Sequence, residues 1–186
     1  MSLFCSARGC PPPLSCCEMN NQRMIQWFPM QVNPEQEQPV RQALERYGME
    51  SFQTSMVPGL IFVHSSREWL ATLKNTDSAL FSLRFMNIHQ KERPGGMAVT
   101  TICDREMENF IKAETLSDPD QQRIALTWTD FLGQEHRRVR IMQGPFMGVE
   151  GEVKRIGRHR IVVALLREAQ VAVGITHIPP AALEFL

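Results

Sequence analysis

Five histidines, five cysteines and twenty carboxylates give this 186-residue chain its capacity for acid–base, nucleophilic or metal chemistry. Their spacing points away from all three. His64, His89, His136, His159 and His177 contain no His-Glu-x-x-His pair and no Cys/His cluster at zinc-ligand spacing. Each reads as a surface or satisfied core histidine. Cys5, Cys10, Cys16 and Cys17 crowd beside Pro11, Pro12 and Pro13; adjacent Cys16 and Cys17 are poor disulfide partners, and Cys103 stands alone. Glu150 and Glu152 flank Gly151 amid bases, which suits a solvated turn better than an acid–base pair. The glycine-punctuated run Gly144-Pro145-Phe146-Met147-Gly148 lacks the Gly-Lys-Ser/Thr of a phosphate loop and leads strand to strand rather than into a helix. We therefore expect no catalytic residue, metal or cofactor, and no enzyme.

What remains is binding. Lys and Arg number 20 and so do Asp and Glu, giving zero formal net charge, and 43% of residues are hydrophobic, enough for an ordinary core. The average hides a segregation. From Arg137 to Arg167 eight bases stand against Glu150 and Glu152, a local surplus of six positive charges, preceded by an acidic stretch containing Glu114, Asp118, Asp120, Asp130 and Glu135. Such a basic segment suits RNA, DNA or an acidic protein, or simply solvated strand ends and a hairpin at Arg158-His159-Arg160. No run approaches the roughly 18 apolar residues of a membrane helix. The expected compartment is the cytoplasm, with residues 1–23 a disordered or mis-started leader.

Two units must position these residues. In the first, residues 24–113, Met24 to Phe28 reads as a strand. Asn33-Pro34-Glu35-Gln36 then caps and opens a helix whose stripe is Val40, Ala43, Leu44 and Tyr47, ended by Gly48. Leu60 to Val63 follows the Pro58-Gly59 turn as a buried strand, and Ser65-Ser66-Arg67-Glu68 is a capping box before Trp69, Leu70 and Leu73. Strands are expected at Leu83 to Met86 and Met97 to Thr101, around a Pro94-Gly95-Gly96 turn. Asp104 then caps a helix that buries Met107, Phe110 and Ile111. Residues 114–135 read as an acidic linker. Residues 136–186 hold strand-like runs at Val139 to Met142, Gly151 to Ile156, Ile161 to Leu165, Val171 to Ile175 and Leu183 to Phe185, enough for a small five-stranded barrel. In its first turn, Gly148 and Gly151 permit unusual backbone and Phe146 sits at the loop tip.

These blocks carry a resemblance. Arg138 to Leu165 resembles a KOW motif. Trp27-Phe28, Val57 to Val63, Leu83-Arg84-Phe85 and Asp104 to Ile111 resemble the amino-terminal (NGN) domain of NusG-type transcription factors, in matching order, across roughly Met24 to Leu186. Ile178 to Glu184 and the Met-Glu-Asn-Phe-Ile run resemble the UpxY branch of specialised NusG paralogues. The resemblance implies an α+β first domain, an antiparallel sheet flanked by helices, joined to a small all-β SH3-like barrel. It departs where relatives carry an extended basic hairpin, since only Gln53 to Val57 separate Phe52 from Pro58, implying a missing strand. Leu60 also replaces the common tyrosine, and Cys103 the proline before Asp104.

By the same resemblance, the first domain sits on the clamp helices of RNA polymerase through an apolar patch of Leu60, Phe62 and Met107. The plain alternative is that Phe62 and Met107 are core. Arg67, Lys74 and Arg84 would face nucleic acid near the transcription bubble. The turn of Gly144, Pro145, Phe146, Gly148 and Gly151 would receive a ribosomal protein or a termination factor. The chain would be a monomeric, operon-specific elongation or antitermination factor, serving surface-polysaccharide genes, with no membrane partner. Two rivals are a ribosome-associated RNA-binding KOW protein and an inhibitory paralogue that competes for polymerase.

Overall fold

A computed structural model describes residues 25–89, 97–116, 123–126, 137–156 and 159–186. The expected leader, the Pro94-Gly95-Gly96 turn, His136 and Arg158 lie outside them. The first unit contains β1 (Gln26–Gln31), α1 (Glu37–Arg46), β2 (Glu50–Gln53), β3 (Leu60–Ser65), α2 (Arg67–Thr76), β4 (Arg84–Phe85), β5 (Asn87–His89), β6 (Met97–Val99) and α3 (Asp104–Thr115). Four strands form an antiparallel sheet in the order β2-β3-β1-β4, with β1 and β3 paired over their whole length. β5 and β6 make a separate antiparallel pair. β2 is an addition to the strands expected from sequence: its half-buried Ser51, Phe52 and Gln53 pair with β3 at the sheet edge.

Three helix starts differ from expectation. Asn33 makes no capping hydrogen bond; Pro34–Gln36 forms a 3-10 turn, and Gln36 precedes α1. Glu37 ties this end down instead, accepting from the Gly59 amide and the Gln53 carboxamide. Ser66, not Ser65, caps α2 by accepting from Trp69 N at 3.3 Å, so Glu68 falls one place short of the box position and Trp69 stays exposed. Asp104 is the first residue inside α3 rather than its cap, where its charge still meets the helix N-terminus. Gly59 is required where it stands: φ is +79°, and a Cβ would lie 2.5 Å from Val32 O.

The second unit is a six-stranded antiparallel sheet in the order β12-β8-β9-β10-β11-β7. Five of its strands are those expected: β8 (Arg138–Ile141), β9 (Glu150–Ile156), β10 (His159–Leu166), β11 (Val171–Thr176) and β12 (Leu183–Phe185). The sixth, β7 (Arg123–Leu126), comes from the stretch expected to be linker and pairs with β11. That stretch also loses its first residues to α3, which runs to Thr115. Glu114 is buried there, and its Oε1 accepts from Ser55 N and, at 2.9 Å, from Ser55 Oγ. It anchors the β2–β3 connection and is not a solvated linker charge. The fold is thus α+β, with two larger antiparallel sheets and the separate β5–β6 pair among the described residues. Among the described residues no helix is long and apolar enough to cross a membrane.

Candidate functional site

Strand alternation divides the first sheet into two apolar faces. Phe28 and Met30 of β1 with Ile61 and Val63 of β3 join Val40 and Leu44 of α1 and Leu70 and Leu73 of α2 in one cluster. The opposite face carries Trp27, Leu60 and Phe62. Met107 and Phe110 of α3 pack there beside Ile102, whose amide donates to Trp27 O at 2.9 Å. Phe62 lies 5.9 Å from Phe110 and 6.5 Å from Phe52 between ring centroids. The three residues expected to form the patch therefore converge on one face.

That face is covered. Leu166, Ala169, Val171 and Val173 of the second unit belong to the same cluster, and Leu60, Phe62 and Met107 are 4%, 0% and 0% exposed. The cover is fastened by α3, which packs on β10 and β11 as well as β1. Asn109 meets the backbone of Glu150 twice: its Nδ2 donates to Glu150 O at 2.6 Å and its Oδ1 accepts from Glu150 N at 2.7 Å. β9 pairs with β10 only as far as Glu152, so the Asn109 carboxamide takes over the ladder where β10 has left it. Arg105 Nη2 reaches Glu150 Oε1 at 2.8 Å, and Lys112 donates to Met147 O.

No family model matches the chain, and no curated protein sequence matches it. Crystal structures of an MjSpt4:Spt5 complex in conformations A and B are similar at 15% and 14% identity. They cover 86% and 88% of this chain and 97% of the matched chain, each with a TM-score of 0.30. A likeness that low carries no weight.

The expected nucleic-acid-facing bases are only partly brought together. Lys74 Nζ sits 5.0 Å from the centroid of Phe85, next to Arg84 in sequence. Burial, and then the Arg84 charge, holds the Lys74 ammonium below its usual range. Arg67 lies at the opposite end of α2, about two helical turns from Lys74. Among the described residues, three of the eight bases from Arg137 to Arg167 are engaged by glutamates: Arg138 and Arg140 approach Glu150 at 3.7 and 2.7 Å, Arg140 reaches Glu184 at 3.7 Å, and Arg167 pairs with Glu152. Hydrogen bonding from Arg140 is the main reason the Glu150 carboxyl titrates below its ordinary value, with Arg105 adding to it.

The 144–151 turn differs from the expectation of an exposed aromatic. Phe146 is 1% exposed and packs with Val139, Ile141, Val149 and Val162 in the second unit's core. Pro145, Gly148 and Met147 are exposed around it. The short turn folds back through Gly148 N to Ile141 O at 2.7 Å, which swings the aromatic ring inward. Gly144 and Gly148 hold positive φ, and at Gly151 a Cβ would lie 2.5 Å from Val163 O. These glycines serve packing of the turn and strand. His64 is likewise satisfied: it stacks on Trp27 at 4.8 Å, and its nitrogens meet Glu50 at 2.9 Å and Asp104 at 3.3 Å.

Sequence reasoning missed the cover and its fastening. Two signals pointed to them. Leu60-Ile61-Phe62-Val63 and Val171-Ala172-Val173 are unbroken apolar runs, which require burial on both faces of each strand. The helices α1 and α2 supply cover for only one face of the first sheet.

Proposed function

We propose that this chain is a NusG-like transcription elongation factor that binds the clamp helices of RNA polymerase through the Leu60, Phe62 and Met107 face, after the second unit has moved off it. One observation carries the reading. Residues from β3 and α3, selected by resemblance from separate segments, share a face that α1 and α2 leave uncovered and that is closed, beyond α3 itself, by the other unit. A coiled-coil tip offers apolar ridges of the kind such a face accepts. The factor acts mechanically, bridging polymerase in the cytoplasm to suppress pausing or termination on particular operons, those for surface polysaccharides by the UpxY resemblance. The second unit, once free, stays tethered near the same polymerase and meets a ribosomal protein or termination factor at a raised local concentration. Arg84 and Lys74 lie nearest to nucleic acid in this reading.

The engagement of Arg138, Arg140 and Arg167 by glutamates takes these three bases out of the free basic surface that the rival, an RNA-gripping second unit, would use. Co-purification with core RNA polymerase tests the proposal. Association is expected, and Leu60→Asp with Phe62→Asp should abolish it; a factor that binds ribosomes and not polymerase would replace this reading with its rival.

A further inference from the structure

The seam between the units also holds a cleft of about 480 Å³. Its first wall is built from the end of β1 and from β4, with Gln31, Asn33 and Arg84; its second is the Ala169–Val171 turn. The volume falls in the range, about 300–1,000 Å³, of small-molecule sites. Val32, Leu60, Met86 and Val171 give it apolar surface, and among the described residues no acidic residue lines it. Its polar side chains are uncommitted. Among the described residues those of Gln31, Asn33, Arg84 and Gln170 make no hydrogen bond or ion pair, and Asn33 declines the helix cap its position offers. Ser82, on the same wall, keeps a buried hydroxyl without a partner. Gln170 holds φ at 57°, a left-handed conformation that glycine or asparagine adopts more readily. A strained long carboxamide retained beside an unpaired guanidinium is the kind of outlier from which a binding role is inferred.

We propose that this cleft binds a small organic anion, a carboxylate or phosphate monoester on an apolar body, with Arg84 meeting the charge and the neighbouring carboxamides completing its hydrogen bonds. A guanidinium with free donors favours planar or tetrahedral oxyanions, and none of the described residues of the lining brings a carboxylate to cancel that charge. Because the walls come from both units, a ligand that fills the cleft contacts the docked arrangement alone and raises its population. It thereby keeps the apolar face covered; the site stands by itself, and only this consequence for polymerase rests on the function proposed above.

The full chain, labelled with nitrogen-15, would be titrated separately with phenyl phosphate, benzoate and benzyl alcohol. Both anions should give saturable amide shifts around residues 31–33, 82–86 and 169–171, the tighter of the two identifying the preferred headgroup. Benzyl alcohol should bind at least about tenfold more weakly, and Arg84→Met should cost the anions about tenfold, as loss of a charge-assisted hydrogen bond does. Asn109→Ala, which lies outside the cleft and loosens the dock, should weaken anion binding as well. Equal binding of the alcohol, indifference to Arg84→Met, or no saturation by about 20 mM, where even weak fragments register, would overturn the site. Indifference to Asn109→Ala would overturn its two-walled character. Since no readout involves polymerase, failure here and failure of polymerase association are separately visible.

Discussion

The two faces of the first sheet bury comparable apolar residues and differ in what covers them. Phe28, Met30, Ile61 and Val63 lie under α1 and α2, which are joined to the sheet by short connections. Trp27, Leu60 and Phe62 lie partly under α3 and otherwise under β10, β11 and the turn between them, contributed by a separate sheet farther along the chain. Cover by a local helix is part of the cooperative unit. Cover by another unit is a docking equilibrium, whose free energy is set by one apolar cluster and a few polar fasteners, so the second face is the one a partner can claim. A buried residue in the first face is a stability residue; under the proposed function a buried residue in the second is a binding residue as well.

Substitutions should separate the faces. The largest effect is expected at the first: Phe28→Ala should cost about 3–5 kcal/mol of unfolding free energy by denaturant titration, as large-to-small changes in a core do. Val171→Asp, which puts a charge into the second face, should cost the dock at least about 2 kcal/mol while leaving both units folded. Its signature is new binding of a hydrophobic dye with unchanged far-ultraviolet circular dichroism. Asn109→Ala removes the paired hydrogen bonds to Glu150 and should loosen the dock by about 1–3 kcal/mol; Asn109→Asp should do so more, because a carboxylate would face the Glu150 carbonyl with no donor. The smallest effect is on pH. Glu150 is depressed below its ordinary value of 4.5, so its contribution through Arg105 is complete above that value and is lost as pH falls through the lower native one. Docking should be flat from pH 8 to about pH 5 and weaken in stronger acid, and a loosening between pH 8 and 6 would point to a different fastener.

Much of this arrangement was legible in the sequence. Apolar periodicity located α1, α2, α3 and the five strands β8 to β12, because each buries a face against its own unit and the pattern is local. Cap chemistry was less reliable: Asn33 and Asp104 are good caps by type, yet Glu37 fastens the first helix from inside it and Cys103 precedes the third. β2 and β7 were hidden for a physical reason. Both are short edge strands; β2 is only four residues long and half-buried, and β7 pairs with β11, distant in sequence, in a charged neighbourhood. The expected patch residues share one buried cluster, but neither their cover nor the inward turn of Phe146 follows from local pattern. Glu150 illustrates the limit: in sequence it flanks a glycine amid bases, and in the fold it meets Arg105, Arg138, Arg140 and Asn109 from two units.

The most direct measurement is the affinity of core RNA polymerase for three proteins: the native chain, Val171→Asp, and Val171→Asp combined with Phe62→Asp. Opening the dock should tighten binding by roughly tenfold or more, the factor corresponding to about 1.4 kcal/mol of masking removed, and the added Phe62→Asp should abolish it. Equal affinity for the native and opened chains, or binding that survives Phe62→Asp in the opened chain, would contradict the claim that the covered face is the polymerase-binding face.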